Sequence, residues 1–170
     1  MGLPKTLKNM MLFNEGATYL GDCSSVTLPV LTRIMEDWRG AGMPGAVALD
    51  MGQEPLEMEA SFGGPMRDIL RQYGVVGVAG VYLRFAGHFQ DDDSGDVANV
   101  EVIVRGRHEE IDFGEAKLGE VSEFKTKFRP AYYKLLWNGV TEIEYDPRNM
   151  IFNVGGIDRM AQQRQGLGLF

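Results

Sequence analysis

Apolar and polar residues alternate with a period of two along most of this chain, and that period restricts its fold more than any other feature. The alternation is regular in residues 56–62, 81–89 and 100–104. Because successive side chains of a strand point to opposite faces, each run predicts a strand with one buried face. The pair Asn138-Gly139 between two apolar runs is typical of a two-residue hairpin turn. The sequence therefore predicts a series of antiparallel strands.

Two short segments depart from the alternation and predict helices. Residues 65–73 begin with a proline, which suits a first helical turn, and are followed by Gly74, which suits a C-terminal cap. One side of this segment is apolar and consists of Ile69, Leu70 and Tyr73. A last short helix is expected over residues 159–165, with Asp158 as its N-cap.

Length and glycine content support a single β-rich domain. The chain has 170 residues, of which 22 are glycine, about twice the usual share of roughly 7%. The glycines lie between short apolar runs, as turns and bulges require. We expect a mainly β fold: one antiparallel β-sandwich or barrel-like domain over residues 1–170, with one flanking helix and a short C-terminal helix.

Composition excludes several classes of protein. The net charge of −7 opposes tight binding of nucleic acid over the whole surface. The single cysteine, Cys23, cannot form an internal disulfide, and His88 and His108 are too far apart in sequence to suggest a zinc cluster. The longest weakly polar run, residues 74–83, is too short to cross a bilayer, and the N-terminus does not resemble a signal peptide. We expect a soluble, intracellularly made protein with no membrane anchor.

Two motifs resemble ligand sites but fail their templates. Residues 40–45 match the letters of the dinucleotide-binding motif G-x-G-x-x-G, but Pro44 and an extended run follow where that motif requires a helix. Residues 91–96 are rich in aspartate, but Gly95 stands at the fifth position, where a calcium-binding EF-hand loop needs an acid. A flexible loop and a solvated turn are the better interpretations. No cofactor and no metal ion are predicted.

Two further alternatives are weaker. Residues 124–134 mix cations with aromatic residues, as proteins that bind single-stranded nucleic acid do. Strand alternation, however, places Phe124 and Phe128 opposite the cations. Glutamates two positions apart, such as Glu57 and Glu59, have a spacing compatible with a carboxylate-based hydrolase, but no pocket-forming pattern accompanies them. The sequence predicts no enzyme and no catalytic residue.

Short motifs in a fixed order lead to a more specific hypothesis. They lie at residues 12–16, 26–31, 35–43, 50–52, 132–135, 143–147, 156–158 and 164–169. Together they resemble the major tail tube proteins of contractile-tailed bacteriophages, a family shared with the tubes of R-type bacteriocins. Trp38 departs from the tyrosine expected at its position. The resemblance spans nearly the whole chain.

The resemblance implies an assembly. Six subunits would share strands to close one barrel around a lumen, and the hexameric rings would stack into the inner tube of a contractile tail. The tube would conduct DNA during ejection without binding its sequence. The implied partners are other copies of the chain and the sheath, tape-measure, baseplate and tail-terminator proteins. The implied location is the virion, after assembly in the host cytoplasm. The alternative is the tube of a bacteriocin or contractile injection particle that carries no genome.

The resemblance also assigns roles to residues. Residues 36–54 would form a long hairpin arm that reaches a neighbouring subunit or ring through Trp38, Met43 and Met51. A lumen that lets DNA slide needs little net positive charge. The candidate lumen residues lie on polar strand faces and are Glu57, Glu59, Asn99, Glu101, Glu123 and Lys125.

Overall fold

The computed structural model describes residues 2–169 and is built mainly of antiparallel strands. The strands are β1 (Lys5–Asn14), β2 (Ala17–Thr18), β3 (Cys23–Thr27), β4 (Arg33–Trp38), β5 (Val47–Gln53), β6 (Met58–Phe62), β7 (Val81–Asp91), β8 (Val97–Asp112), β9 (Phe124–Trp137), β10 (Val140–Asp146), β11 (Ile151–Val154) and β12 (Ile157–Asp158). The helices are α1 (Arg67–Arg71), α2 (Ala161–Gly166) and a 3₁₀ turn (Pro147–Asn149). The predicted mainly β class with two α-helices is confirmed.

Ten of the strands form one sheet that divides where β8 and β9 change register. The register shifts between Arg105 and Gly106, opposite Pro130. A β-carbon at Gly106 would lie 2.1 Å from the carbonyl oxygen of Arg129, so only glycine fits this close crossing. On one side of this crossing lies what we call the narrow sheet. It consists of β3, β6, the first half of β9 and the end of β8. The second half of β9 pairs with β8 and β10, and β7 and β1 extend this wide sheet.

Both sheets bury alternate residues in one core. The narrow sheet contributes Met58, Ala60, Phe62, Phe124 and Phe128, and the wide sheet contributes Leu12, Leu83, Phe85, Val102 and Val104. The Phe62 ring lies 5.1 Å from the Tyr19 ring and 6.1 Å from the Phe124 ring, centroid to centroid. Because one core lies between the sheets, their outer faces point away from it. The alternation in the sequence thus identified the buried faces of β6, β7 and β8 correctly. It was wrong for β4, where Ile34 and Trp38 are exposed.

The turn between β9 and β10 has the conformation that its two residues predict. β9 and β10 are joined by Asn138 and Gly139, whose φ angles are 50° and 82°. Two successive residues with positive φ are what a type I′ hairpin turn requires. The predicted hairpin is confirmed.

The helices are shorter than predicted. α1 begins at Arg67 and ends at Arg71, and Ile69 is its buried residue. Leu70 and Tyr73 are exposed, so the predicted three-residue apolar side is wrong. A helix of little more than one turn presents a single side chain to the core. Neither α-helix in residues 2–169 has the length or apolar character needed to span a membrane.

The cap predicted for the last helix is also wrong. α2 begins at Ala161 after Met160, and no side chain caps it. The Asp158 carboxylate instead accepts a hydrogen bond from the Met160 amide and pairs with Arg164. Asp158 therefore ties the preceding turn to the helix side chains.

Candidate functional site

The hairpin of β4 and β5, which we call the arm, is a separate two-stranded sheet. Trp38 lies opposite Val47 and Glu36 lies opposite Leu49, so these side chains share one face. By strand alternation this arm face consists of Ile34, Glu36, Trp38, Val47, Leu49 and Met51, and all of them are exposed. Trp38 itself is 58% exposed. Five of these six exposed residues are apolar, and an exposed, mainly apolar face of this kind marks an interaction surface.

The tip of the arm is a folded turn. The Met43 amide donates to the Gly40 carbonyl at 3.2 Å, and the Arg39 side chain donates to the Met43 carbonyl at 3.1 Å. Met43 is half-buried, with its sulfur 3.0 Å from the Gly40 nitrogen. The glycine-rich motif at residues 40–45 thus joins two strands and opens no helix, which removes the geometry that a dinucleotide site needs. The contact role predicted for Trp38, Met43 and Met51 stays a prediction.

The base of the arm is fixed to the body. The Arg33 guanidinium lies 5.1 Å above the centre of the Phe152 ring in β11, and its Nε donates to the Asp50 carboxylate at 3.0 Å. The Glu54 amide donates to the Thr32 carbonyl at 2.9 Å, which closes the two chain segments below the strands. The arm therefore projects from a defined base while its apolar face remains uncovered.

The outer face of the narrow sheet, which we call the polar face, is a lattice of charges. Lys127 lies 3.3 Å from Glu110, and Arg129 lies 2.8 Å from Glu57 and 3.6 Å from Glu109. The neighbouring Glu110 carboxylate raises the pKa of Lys127. Acids outnumber bases: the charged residues of this region are Glu57, Glu59, Glu109, Glu110, Asp112, Glu123, Arg107, Lys125, Lys127 and Arg129. The polar face is therefore hydrophilic and carries a small net negative charge.

The six candidate lumen residues do not share one surface. Glu57, Glu59, Glu123 and Lys125 lie at the polar face. Asn99 and Glu101 lie on the outer face of the wide sheet, where Asn99 contacts His88 at 2.8 Å and Glu101 contacts Arg84 at 3.7 Å. That face also carries half-buried apolar residues, namely Met11, Phe13, Ile103 and Leu136. Alternation identified outward-facing positions but did not show which strands share a sheet. The lumen role of all six stays a prediction.

The narrow sheet has two open edges among the described residues. β3 pairs with β6 alone, and β8 pairs with β9 alone beyond Gly106. The strand order β3-β6-β9-β8 is antiparallel at every step, so the two edge strands run in opposite directions. Unpaired edges are available for pairing with another chain.

A buried hydrogen-bond network lies beneath α1 and was not found from the sequence. His108 Nδ1 lies 2.7 Å from Thr126 Oγ1, and His108 Nε2 lies 3.2 Å from Gln72 Oε1. Gln72 and Asn14 exchange two amide hydrogen bonds of 2.9 and 3.0 Å, and Asn14 donates to the Tyr19 hydroxyl at 2.8 Å. Because a carbonyl oxygen can only accept, the contact with Gln72 requires a proton on Nε2. In the neutral imidazole, Nδ1 then accepts a hydrogen bond from the threonine hydroxyl, so both ring nitrogens have partners.

This network predicts acid sensitivity of the unassembled subunit. Burial lowers the pKa of His108 from 6.5 to about 4. The unfolded state therefore binds a proton that the folded state does not bind between these values, and stability falls as the pH drops from 6.5 towards 4. The loss should amount to about 3 kcal/mol. The free energy of unfolding, measured with urea at several pH values in this range, should depend less on pH in His108→Gln than in the native protein. The matched variant His88→Gln, at an exposed histidine, should keep the native dependence on pH. Equal slopes for native protein and His108→Gln would contradict the assignment.

Other sequence motifs have structural roles. Asp91 ends β7, and its carboxylate accepts hydrogen bonds from the backbone amides of Leu3, Asp93 and Ser94. These hydrogen bonds to backbone amides stabilise the aspartate-rich turn.

Cys23 has no sign of activation. Burial raises the pKa of its thiol, which opposes its use as a nucleophile.

The alternatives from the sequence gain no support from the geometry. Phe124 and Phe128 are buried in the core, so they cannot stack on the bases of a single strand. Glu57 and Glu59 line a polar depression of about 620 Å³. The Glu57 side chain is 72% exposed there and pairs with Arg129, so the depression does not exclude water from it.

Comparison with known proteins gives matches along nearly the whole chain. Residues 4–168 match the family model described as "Phage tail tube protein FII". The "Tail tube protein" of Escherichia phage P2 is 45% identical over 172 residues, which cover 99% of this chain and 100% of the relative. The "Major tail tube protein" of Serratia phage KSP20 is 36% identical over 158 residues, which cover 92% and 91%. The matches include both sheets and the arm.

Proposed function

The chain belongs to the phage tail tube protein family, structural virion components that assemble with themselves into a tube, and from this premise we propose that it stacks as hexameric rings into the inner tube of a contractile tail. The resemblance inferred from the sequence is confirmed at the level of the tail tube family. The order of its motifs supports the contractile type of tail. Sheath, tape-measure, baseplate and tail-terminator proteins are the partners that such a tube requires.

The narrow sheet supports a ring. Its two edges are open and run in opposite directions. The β3 edge of one copy can therefore pair with the β8 edge of the next copy and continue the antiparallel order. Four strands from each of six copies would close a barrel without free edges, which removes the aggregation risk of an open sheet. The two open edges of opposite direction within one subunit are the observation that carries the proposal.

The polar face supports a DNA-conducting lumen. Closing the narrow sheet into a barrel leaves its outer, charged face pointing into the channel, since the core side is covered by the wide sheet. Cations on this face are paired with glutamates, as Lys127 is with Glu110 and Arg129 is with Glu57. Paired cations offer few free charges to phosphates, so DNA would pass without sticking. Asn99 and Glu101 would then lie outside the channel, on the wide sheet.

Electron microscopy and amide exchange test this proposal together. We expect purified protein to form rings and hollow tubes at high concentration or when seeded, and image averages to show six subunits per ring. In the dilute subunit, the backbone amides of Cys23–Thr27 and of residues 107–112 that point away from β6 and β9 should exchange quickly, because no strand of the same subunit pairs with these edges. In tubes they should exchange at least tenfold more slowly, while the central strand β7 serves as a control that is slow in both states.

Two results would contradict the proposal. Protein that stays unassembled at all concentrations and with seeds would remove the tube function. Tubes in which these two edges still exchange quickly would show that the ring closes elsewhere.

A further inference from the structure

The loop between β8 and β9, residues 113–123, has a rigid stem. The Gly114 amide donates to the Asp112 carboxylate at 2.8 Å, and a β-carbon at Gly114 would lie 2.5 Å from the Glu123 carbonyl oxygen. The Phe113 ring meets the Phe124 ring edge-on, with centroids 5.3 Å apart. The two ends of the loop are therefore held together against the core.

The tip of this loop presents apolar side chains to solvent. The Glu120 amide lies 3.4 Å from the Lys117 carbonyl, and the two side chains form an ion pair of 3.3 Å. Gly119 has a φ of +80°, which suits the third residue of a tight turn. Leu118 at the apex is fully exposed, and Val121 is 84% exposed. Bulky apolar residues held outward by a tight turn suggest a contact with another molecule.

The loop tip and the arm lie at opposite ends of the narrow sheet. At one end, Phe62 pairs with Phe124 beside the loop. At the other end, Thr27 pairs with Glu59, next to the segments that lead into and out of the arm. One copy therefore cannot bring its own arm to its own loop. Copies stacked head to tail would bring the loop of one copy to the arm end of the next.

We propose that Leu118 and Val121 dock on the arm face of the next copy along the tube axis, around Trp38 and Leu49. This proposal rests on the proposed tube function and specifies its ring-to-ring contact. The arm strands extend about 20 Å beyond their base, far enough to cross a plane between rings. A contact between two different surfaces of identical copies propagates without closing, which is what a tube of stacked rings needs. It would cover apolar groups that each subunit leaves exposed.

Cross-linking gives a direct test. The thiols are placed beside the proposed contact, so that its apolar side chains are kept. The double variant Glu36→Cys/Lys117→Cys, made with Cys23→Ser, should form disulfides when assembled tubes are treated with a mild oxidant, because Glu36 lies on the arm face opposite Leu49 and Lys117 precedes Leu118. A non-reducing denaturing gel should then show a ladder that continues beyond the number of subunits in one ring. The control Glu36→Cys/Val76→Cys moves the second thiol to another exposed loop position and should form no ladder. A Lys117→Cys ladder that stops at one ring would place the contact within rings, and tubes without any cross-link would place the docking site elsewhere; either result overturns the proposal.

Substitution of the loop tip gives a second test with its own control. Leu118→Ser/Val121→Ser should leave rings intact and reduce tube elongation about tenfold or more, because an apolar contact is lost at every subunit. Lys117→Ser changes a charge in the same turn and should elongate almost normally. Normal elongation of the double variant would overturn the docking contact. Absence of rings and tubes in the native protein would instead overturn the proposed function itself.

Discussion

Replacing Trp38 and Leu49 by serine is expected to give a folded subunit that forms no tubes. Both side chains are exposed on a hairpin outside the core, so the free energy of unfolding should change by only about 0.5 kcal/mol. Assembly should fail because the lost apolar contact is repeated at every subunit of every ring. Sedimentation and electron microscopy measure the tubes, and urea unfolding of the dilute subunit measures the stability.

The opposite face of the same hairpin provides a matched control. Met35 is 56% exposed, as Trp38 is 58% exposed, but it pairs with Asp50 and points to the other side of the arm. Met35→Ser therefore removes a similarly exposed apolar side chain without altering the arm face, and its tubes should be normal. Equal loss of tubes in both variants would indicate a general requirement for arm stability, and normal tubes from Trp38→Ser/Leu49→Ser would show that the arm face makes no essential contact.

Local patterns predicted the strands because a period of two reports directly on burial. Phe62 and Glu59 fall on opposite sides of β6, as their positions in the sequence require. The division into two sheets was not predictable in this way, because β9 pairs with β6 in its first half and with β10 in its second half. The signals for that division, Gly106 and Pro130, resemble ordinary turn or edge residues when they are read without their partners.

Long-range side-chain contacts were missed for a related reason. His108 had no partner within reach in the sequence, and its partners Thr126 and Gln72 lie 18 and 36 positions away. The arm was located from the family resemblance, and the Gly- and Pro-rich break at residues 40–45 between two extended runs is consistent with its turn. The exposed tip at Leu118 has no periodic signal, since a single apolar residue in a turn is common in any surface loop. Its significance depends on its place in the fold.

The second large effect is expected when two glutamates of the polar face are replaced by lysine. Glu57→Lys/Glu59→Lys changes the charge by two units at each position, which adds four positive units to every subunit. The variant breaks the ion pair of Glu57 with Arg129 and leaves that cation only its longer contact of 3.6 Å with Glu109, so it is more available to phosphate. We expect tubes of normal length, because exposed ion pairs contribute only about 0–1 kcal/mol. Phage that carry the variant should eject DNA slowly, and high salt should partly restore the rate, since each phosphate contact releases counterions.

The wide sheet provides the control that identifies the lumen. Asn99→Lys/Glu101→Lys adds three positive units on the other outward face, one unit at Asn99 and two at Glu101, and should leave the ejection rate unchanged. Ejection is followed by the fluorescence of a DNA-binding dye at low and high salt. Slow ejection in the wide-sheet variant alone would place Asn99 and Glu101 in the channel and the narrow sheet outside it. Loss of tubes in the narrow-sheet variant would show that the added charges oppose contacts between copies, and would contradict the expected normal assembly.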